Sequence, residues 1–442
     1  MSDTDAPDSS DGPAPSDADG PADWLVDLRR DLHRHPEPAW REFYTTNRIV
    51  EAIEDLEIDG LSLFVGPEAL DLDARSGVPD ETELAPWRER AREIGVPEDR
   101  LETLDGGRTG LVARLDRGDG PHVALRVDID GLPVTESDAD EHVPAAEGFR
   151  SENEGAMHAC GHDGHATIGV GTLAAVADSD FRGTFTVCFQ PAEEIIGGGR
   201  AIAESGHLEG VDELIAIHLG LDHPTGEVVA GMDGILAVRQ IRAHFEGETA
   251  HAGKHPQAGR NAVQAMAAAV QNLYAIPRHV DGVTRVNAGR VEGGTASNVI
   301  PDSAVIEGEV RGETTELKEY MSDHADRVLE GAATMHDCAV DVVTTGEAPS
   351  ADSDPELRTV VAEAARGTVG IDSVLDQAPL GGSEDATFLM RAVQDQGGRA
   401  TFVDIGTDHP GGHHTGTFDV DEASIAIGVD LLGEVVRRLG GS

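Results

Sequence analysis

The sequence predicts an α/β fold: a mixed, largely parallel sheet covered by helices, into which a ferredoxin-like α+β domain is inserted. Between residues 122 and 219, three apolar strand-like runs alternate with helical segments, the order typical of a parallel sheet with helices on both faces. From residue 238 to 347 the order becomes strand, helix, strand, strand, helix, strand, which is that of a ferredoxin-like unit. Helix–strand units then return after residue 347, so the second unit is predicted to be an insertion.

The chain has 442 residues, enough for two domains that each bury a core. We predict three parts. Residues 1–23 are rich in Asp, Ser and Pro and form a disordered acidic tail. Residues 24–237 and 348–442 together form the first domain, and residues 238–347 form the inserted one.

Two amphipathic helices are predicted near the start, because apolar side chains recur at helical spacing. Those side chains are Leu25, Leu28 and Leu32 in the first helix, and Ile49, Val50, Ile53 and Leu56 in the second. Residues 66–107 give a weaker pattern, and we expect them to be partly helical without assigning them a role.

Polar side chains follow the apolar strands at the points where these end. The run HVALRVD stops at Asp128 and Asp130, TFTVCFQ leads into Glu193 and Glu194, and ELIAIHLG carries His218 at its end. In open α/β sheets, ligands bind where parallel strands reach their carboxyl edge. These side chains are therefore expected to meet at one edge of the sheet.

The charge is far outside the usual range, with 83 acidic against 33 basic residues and a formal net charge of −50. Such a polyanion is an improbable partner for nucleic acid. Acidity spread along the whole chain, with only Lys254 and Lys318 as lysines, indicates adaptation to a halophilic cytoplasm. At about 1 M salt the Debye length falls to about 3 Å, which removes most of the self-repulsion.

Other features of the sequence suggest a cytoplasmic protein. No run of 18 apolar residues predicts a membrane span. The first residues have neither the basic start nor the apolar core of a secretory signal. The three cysteines, Cys160, Cys188 and Cys338, form no CxxC pair and no disulfide framework, which fits a reducing compartment.

The segment MHACGHDGH, residues 157–165, places three histidines, a cysteine and an aspartate within nine residues. A cysteine nucleophile beside a histidine is one interpretation, but it leaves the glutamate pair and His218 without a role. A zinc nucleobase deaminase would need HxE and PCxxC, and neither arrangement is present. A dinuclear metallohydrolase would use all of these residues.

These residues supply about five ligands, which is few for two metals, so one anionic ligand is expected to bridge them, and Cys160 is our choice. Adjacent glutamates point in different directions, which suits a division of labour. One would bind metal, and the other would take a proton from the attacking water. A histidine near the C-terminus, in GGHHTGTF, completes the set.

Several motifs, in order along the chain, resemble the aminoacylase/carboxypeptidase-like dinuclear metallopeptidase superfamily, in its amidohydrolase branch. They are MHACGHDGH, FQPAEE, AIHLG, AHAG and ASNVIP. Within this branch, the likeness is strongest to the subfamily of one p-aminobenzoyl-glutamate hydrolase subunit, through SGVPDETEL, GRNAVQAM, GAATM, GGSEDATFLM and GHHTGTFDVDE. The resemblance runs from Trp24 to the C-terminus.

The resemblance implies a role for each matching residue. Metal ligands would be Cys160, His162, Glu194, His218 and His414, with His413 as a rival for the last place. Glu193 would be the general base, and Asp130 would orient a ligand from the outer shell. His251 would stabilise the tetrahedral intermediate in the partner's site, while Asn298 and Arg311 would hold substrate.

The function implied is cleavage of the amide bond of an N-acyl or N-aroyl amino acid, p-aminobenzoyl-glutamate-like, by a metal-bridged hydroxide. Two divalent ions per subunit, Mn²⁺ or Zn²⁺, would be the cofactors. The inserted domain would act as a lid and dimerisation element in a homodimer, or in a heterodimer with a related subunit. Alternatives are an aminoacylase, hippurate-type or indole-acetyl-amino-acid hydrolase, and a non-catalytic partner subunit. Many relatives follow PAEE with a longer glycine run than the IIGGG found here, which affects specificity rather than the ligands.

Overall fold

The computed structural model describes residues 22–441, so the predicted tail lies outside the described residues except at its end, where Asp23 already begins a helix. Twelve α-helices are present in the described part. They are α1 (Asp23–Arg34), α2 (Phe43–Glu54), α3 (Glu81–Glu93), α4 (Glu98–Leu104), α5 (Val143–Glu147), α6 (His162–Ala177), α7 (Gly199–Ala203), α8 (Ala262–Tyr274), α9 (Thr315–Met335), α10 (Pro355–Ala365), α11 (Ala386–Asp395) and α12 (Ala423–Leu439).

Sixteen strands complete the regular structure of these residues. They are β1 (Leu61–Val65), β2 (Leu111–Asp116), β3 (His122–Asp128), β4 (Thr184–Gln190), β5 (Glu213–Leu219), β6 (Glu227–Val229), β7 (Met232–Asp233), β8 (Ala237–Glu246), β9 (Ala250–His251), β10 (Thr284–Gly293), β11 (Val299–Ile300), β12 (Ser303–Gly312), β13 (Ala339–Ala348), β14 (Ser373–Leu375), β15 (Ala378–Pro379) and β16 (Arg399–Ile405).

The main sheet has eight strands in the order β1-β2-β4-β3-β5-β16-β6-β14. Its centre, from β4 through β3 and β5 to β16, is parallel throughout. Antiparallel pairings flank this centre, at β1 with β2, β2 with β4, and β16 with β6. The predicted mixed, largely parallel sheet is thereby confirmed.

Helices cover both faces of this sheet, and the alternation along β3 shows how. Val123, Leu125 and Val127 belong to one hydrophobic core, whereas Ala124 belongs to the core on the opposite face. Helix α6 packs against both α1 and α12 on the first face, and α7 packs against α11 on the second. Because both faces are buried, the strands are apolar on both sides, which explains their short continuous runs.

The inserted domain has a four-stranded antiparallel sheet in the order β10-β12-β8-β13, with the ferredoxin-like topology predicted. It runs from Ala237 to Ala348, one residue beyond the predicted boundary at each end. Its core lies between the sheet and helices α8 and α9, as shown by the burial of Ile241, Phe245 and Ile306. The opposite face of the sheet has no helix on it among the described residues.

Residues 66–107 form two short 3-10 helices followed by α3 and α4. The Trp40 indole N–H donates to the Ser76 carbonyl at 2.7 Å, and the Ser76 N–H donates to the Gly197 carbonyl at 3.2 Å. This segment therefore supports the loop that follows β4, where the glutamate pair lies. No helix of residues 22–441 is both long enough and apolar enough to cross a membrane.

Candidate metal centre

Cys160 and His162 are placed at the sheet edge by a tight turn before α6. Gly161 adopts a left-handed conformation with φ of 84°, and a Cβ there would lie 3.2 Å from the Val420 side chain. A residue with a side chain would be strained at this position, so glycine fits it best. His162 is the first residue of α6, and both His162 and Cys160 are buried.

Asp130 connects three parts of the site. Its carboxylate accepts the backbone N–H of Glu193 at 3.1 Å and that of Glu194 at 3.0 Å. It also lies 3.3 Å from Nδ1 of His162, which donates to it. This arrangement directs Nε2 of His162 towards the glutamate side chains, 4.0 Å from Glu193 Oε2 and 3.8 Å from Glu194 Oε1.

His218 reaches the cluster from the end of β5. Its Nδ1 lies 2.9 Å from the Leu219 carbonyl and therefore donates to it, which leaves Nε2 without a proton when the ring is neutral. Nε2 is 3.4 Å from Sγ of Cys160. Burial, together with His165 and His413, holds the pKa of His218 well below its usual value, so the ring is a neutral donor of an electron pair.

His414, rather than His413, faces the glutamates. Nε2 of His414 is 3.5 Å from Oε2 of Glu194, and the His414 backbone N–H donates to the Ala159 carbonyl at 2.8 Å. Nε2 of His413 instead lies 3.2 Å from the Leu219 carbonyl. The His414 side chain is 56% exposed, in contrast to the buried ligand candidates around it.

Two neighbours of the cluster had no assigned role in the sequence, Asp128 and His165. Nδ1 of His165 donates to Asp128 at 2.5 Å, while its Nε2 accepts the Leu219 N–H at 2.9 Å. Asp128 also lies 3.6 Å from Nε2 of His162. The signal was present, since Asp128 ends a strand and His165 follows His162 by three residues on the same helix.

A buried ionic network supports the edge from beneath. The fully buried Arg126 guanidinium lies 2.8 Å from Asp128, 2.9 Å from Glu384 and 3.2 Å from Asp385. Glu384 and Asp385 are more than 250 residues away in sequence from Arg126, so no local pattern could have joined them. Of these residues, Glu384 lines the cavity beside Glu193.

The electrostatics of the cluster are those of acidic groups forced together. Burial, together with neighbouring carboxylates, raises the pKa of Glu194 to about 8 and that of Glu193 well above its usual value. Burial and the same glutamates also raise the pKa of the Cys160 thiol. For His162, burial lowers the pKa, but Asp128 and Asp130 outweigh it and raise the value to about 10. The cluster therefore favours positive charge at its centre.

Two buried atoms at this centre have no hydrogen-bond partner, Nε2 of His162 and Oε1 of Glu194. A buried polar atom without a partner is costly, and a bound ion would satisfy both. Donor atoms of three overlapping groups lie within 4.8 Å of one another: Cys160 with His162 and His218, Cys160 with Glu194 and His414, and His162 with Glu193 and Glu194. Thiolate, imidazole and carboxylate suit divalent ions such as Zn²⁺. The residues thus fit a metal pair with Cys160 shared.

A cavity of about 430 Å³ opens onto this cluster and is closed on one side by the inserted domain. Arg311 of β12 lines it, with its guanidinium paired to Glu309 at 2.9 and 3.0 Å and donating to Ser383 at 3.3 Å. The volume suits a small molecule. Arg311 is therefore the one predicted substrate residue that lines the cavity within a single chain.

His251 and Asn298 lie elsewhere in the inserted domain, at the small two-stranded sheet formed by β9 and β11. His251 pairs with Val299 across β9 and β11, and the Ala252 N–H donates to the Asn298 carbonyl at 3.0 Å. Both side chains are exposed, and neither lines the cavity of its own chain. Thus the structure brings these two residues together, but away from the cluster.

Comparison with known proteins identifies the family. Residues 124–438 match the description of Peptidase family M20/M25/M40. Indole-3-acetyl-aspartic acid hydrolase of Enterobacter agglomerans is 42% identical over 413 residues, 92% of this chain and 94% of the relative. One of the subunits of p-aminobenzoyl-glutamate hydrolase from Escherichia coli is 40% identical, again over 92% of this chain and 94% of the relative.

Solved structures agree with this. An aminobenzoyl-glutamate utilization protein from Klebsiella pneumoniae has a TM-score of 0.80 at 34% identity, covering 94% of this chain and 95% of its own. A Bacillus subtilis protein described as a dinuclear metal binding peptidase has a TM-score of 0.65 at 27% identity, covering 94% and 97%. The resemblance seen in the motifs is confirmed, and the chain belongs to Peptidase family M20/M25/M40.

Proposed function

We propose that this protein hydrolyses the amide bond of an N-acyl or N-aroyl amino acid, with two divalent metal ions and with Glu193 as general base. The observation that carries the proposal is the buried cluster at the sheet edge, where Cys160, His162, His218 and the glutamate pair converge beside a cavity. Family membership and the hydrolase relatives confirm the predicted enzyme class, a hydrolase acting on amide bonds.

Two relatives indicate the kind of substrate. The names of these proteins join an aromatic acyl group to aspartate or glutamate. We therefore propose a p-aminobenzoyl-glutamate-like substrate ahead of an indole-acetyl, hippurate or N-acetyl amino acid. A cavity of about 430 Å³ is large for an acetyl group alone and supports an aromatic acyl group.

The proposed metal ligands are Cys160, His162, Glu194, His218 and His414, with Cys160 shared and Mn²⁺ or Zn²⁺ as the ions. His414 is preferred to His413 because its ring faces Glu194 rather than a backbone carbonyl. When bound, such ions polarise a carbonyl and lower the pKa of water. Asp130 fixes the His162 tautomer and orients the ring, as a carboxylate partner of a ligand histidine does.

In the proposed reaction, Glu193 takes a proton from the attacking water and passes it to the leaving amine. Its backbone is held by Asp130, and its carboxylate lies in a buried environment that favours the protonated form after transfer. Arg311 binds the substrate carboxylate from the inserted domain. His251 and Asn298 complete the site from a second chain, since neither reaches the cavity of its own.

We propose a domain arrangement and an assembly that match these roles. Residues 24–237 and 348–442 form the catalytic domain, and residues 238–347 form the lid and dimerisation domain. The protein would be a homodimer, or a heterodimer with a related subunit. The rival proposal, a non-catalytic partner subunit, is weakened because a chain without activity has no need to keep both the ligand set and the base.

The proposal is tested with a panel of amides, with Mn²⁺ or Zn²⁺ added in high salt. The panel comprises p-aminobenzoyl-glutamate, indole-acetyl-aspartate, hippurate and N-acetyl amino acids. Metal-dependent release of the amino acid is expected, fastest for the first compound and about 10²–10⁴-fold slower in Glu193→Gln. If the purified chain cleaves none of them alone but does so with a related subunit, the partner-subunit proposal replaces this one.

We also propose that the enzyme works in a cytoplasm of molar salt. The support is the net charge of −50, since unscreened carboxylates repel one another in dilute buffer. Thermal unfolding in molar KCl should occur at a clearly higher temperature than in dilute buffer at the same pH. Equal midpoints under the two conditions would refute salt adaptation.

A further inference from the structure

A second cavity, of about 560 Å³, adjoins the one at the metal centre. It lies between the helix-free face of the inserted sheet and a main-domain wall that includes Gly77 and Ile195. Gln240 lines both cavities, and Glu309, the ion-pair partner of Arg311, lines the second. The two spaces are thus neighbours, with the Arg311–Glu309 pair at their junction.

The second cavity contains an arginine with little ion pairing of its own. Glu307 lies between two guanidiniums, 3.2 Å from Arg290 and 3.9 Å from Arg242. Arg290 has a second partner in Glu292, at 2.8 Å. Within residues 22–441, Arg242 has no ion-pair partner but the distant Glu307, and its side chain is 58% exposed. Its guanidinium is therefore available to an incoming anion at the wall of this cavity.

The strand geometry places this arginine in line with the substrate residue. Arg311, Glu309 and Glu307 alternate along β12 and so share one face of the sheet. Arg242 is directly opposite Glu307 in the register of β8 with β12. Four residues along a strand span about 13 Å, which sets the separation of Arg242 and Arg311 at the backbone. Their long side chains shorten this distance, so the two guanidiniums are separated by roughly the length of an extended amino acid or more.

We propose that Arg242 binds a second carboxylate in the leaving part of the substrate, beyond the carboxylate held by Arg311. This inference rests on the proposed function and narrows it to acidic leaving groups. Glutamate, or a longer acidic extension, would place a charge in the second cavity while the amide stays at the metal centre. The Gln240 side chain, common to both cavities, would line the passage between them.

The rival is that Glu307 and Glu309 attract a cationic or neutral leaving group instead. Glu309 is already held by Arg311 in a two-bond pair, and Glu307 is shared by two guanidiniums. Neither carboxylate is therefore free in the way that Arg242 is. An anion would gain a charge-assisted hydrogen bond without first breaking a close pair.

The test compares N-benzoyl-glutamate with N-benzoyl-glutamine, which have nearly the same shape but differ by one charge, and adds N-benzoyl-γ-glutamyl-glutamate as the extended acid. The wild-type protein should prefer the acidic leaving groups. Arg242→Gln should lower kcat/KM about ten-fold for at least one of the acidic substrates, mainly through a higher KM. The kcat/KM for N-benzoyl-glutamine should be unaffected. Arg242→Lys should recover part of the loss.

Arg327→Gln is the matched control, because Arg327 is an exposed arginine on α9, across the sheet from the cavity. Arg327→Gln should leave kcat/KM unchanged for every substrate. If Arg242→Gln affects glutamate and glutamine alike, or neither, or if the wild-type protein prefers glutamine, the inference is overturned. Binding of the same compounds to the metal-loaded Glu193→Gln protein, followed by calorimetry, gives the preference without turnover. Failure of the proposed function would instead appear as no cleavage of any amide by the wild-type protein.

Discussion

Two regions that were assigned to the same site differ in almost every physical respect. The cluster at the sheet edge is buried, and its side chains come from the ends of parallel strands and from the loops that follow them. The small β9–β11 sheet, beside which His251 and Asn298 lie, is exposed and belongs to the inserted domain. One region is assembled by a single chain, whereas the residues of the other do not line the cavity of that chain.

This difference separates the site residues that the fold of one chain positions from those that a second chain would have to contribute. The buried cluster has fixed neighbours, since Asp130, Asp128 and the Leu219 carbonyl orient its rings. Such a site is preorganised to bind positive ions and needs no conformational change to do so. On the small β9–β11 sheet, the Gly253 N–H donates to Nδ1 of His251 at 3.1 Å, but the ring is exposed and does not line the cavity of its own chain. Its contribution therefore depends on a partner chain or on movement of the domain. Mutations in the two regions should therefore have different effects on metal content and on the reaction rate.

The largest effect is expected for Cys160→Ala. Cys160 belongs to two of the donor groups, so its loss removes a ligand from both proposed metals together with the thiolate charge. Metal content should fall below two ions per chain, and turnover should be abolished. Metal analysis and the amide assay check this. Cys338→Ala is the control, since Cys338 lies outside the cluster and should leave both readouts unchanged.

The glutamate pair should divide its roles. Glu193→Gln should retain metal and substrate affinity while the rate drops about 10²–10⁴-fold, the usual contribution of a positioned proton carrier. Glu194→Gln should lose metal, because Oε1 of Glu194 is one of the two buried atoms without a partner. Metal analysis of both variants, with binding of an uncleaved substrate analogue, separates them. The reverse pattern would exchange the two roles.

Much of this comparison was visible in the sequence, because local patterns carried it. The strands were readable from apolar runs, and the polar residues at their ends had to meet once the strands were parallel. Cys160, His162, Glu193, Glu194 and His218 converge as expected. The ferredoxin-like order also followed from alternating helix and strand signals.

What the sequence did not reveal depends on contacts between distant segments. Arg126 is an ordinary strand residue until the chain brings Glu384 and Asp385 beneath it. The antiparallel strands β1 and β2 were not predicted, although LSLFV and LVARLD are both mainly apolar. The role of His251, and its action in the partner's site, were implied by the resemblance alone.

The next largest effect is expected for His251 and tests its role directly. His251→Ala should lower the rate about 10²–10³-fold, the usual contribution of one group that stabilises an oxyanion, with metal content unchanged. His255→Ala is the matched control, as another exposed histidine in the same loop. Unlike Cys160→Ala, this variant should keep a complete metal centre, which distinguishes the β9–β11 sheet from the buried cluster.

Hybrid dimers show from which chain His251 acts. Glu193→Ala and His251→Ala chains should each be nearly inactive alone. After mixing and refolding, about half of the dimers should be hybrids, each with one intact site of two, so activity should approach about a quarter of wild type. If hybrids form, as shown by differently tagged chains, and the mixture stays inactive, His251 does not act across the interface.

The smallest effect is expected for Asp130→Asn, which keeps the size of the side chain and removes its charge. Asp130 is fully buried and accepts from the backbone N–H groups of Glu193 and Glu194 and from Nδ1 of His162. An amide can accept through only one of its two atoms, so one of these donors would face another N–H. No metal ligand is removed, however, so the substitution should weaken only the orientation of His162 and of the two glutamates.

Metal affinity should therefore drop about 10–100-fold, the usual cost of losing an outer-shell partner. Activity should return when excess Mn²⁺ or Zn²⁺ is added, since Glu193 and the ligands are all still present. Competition with a chelator measures the affinity, and the rate at saturating metal measures the rescue. Unchanged affinity would mean that the turn before α6 and the strand ends hold the cluster without Asp130. Activity that stays low at saturating metal would place Asp130 in the chemistry of Glu193 rather than in the orientation of His162.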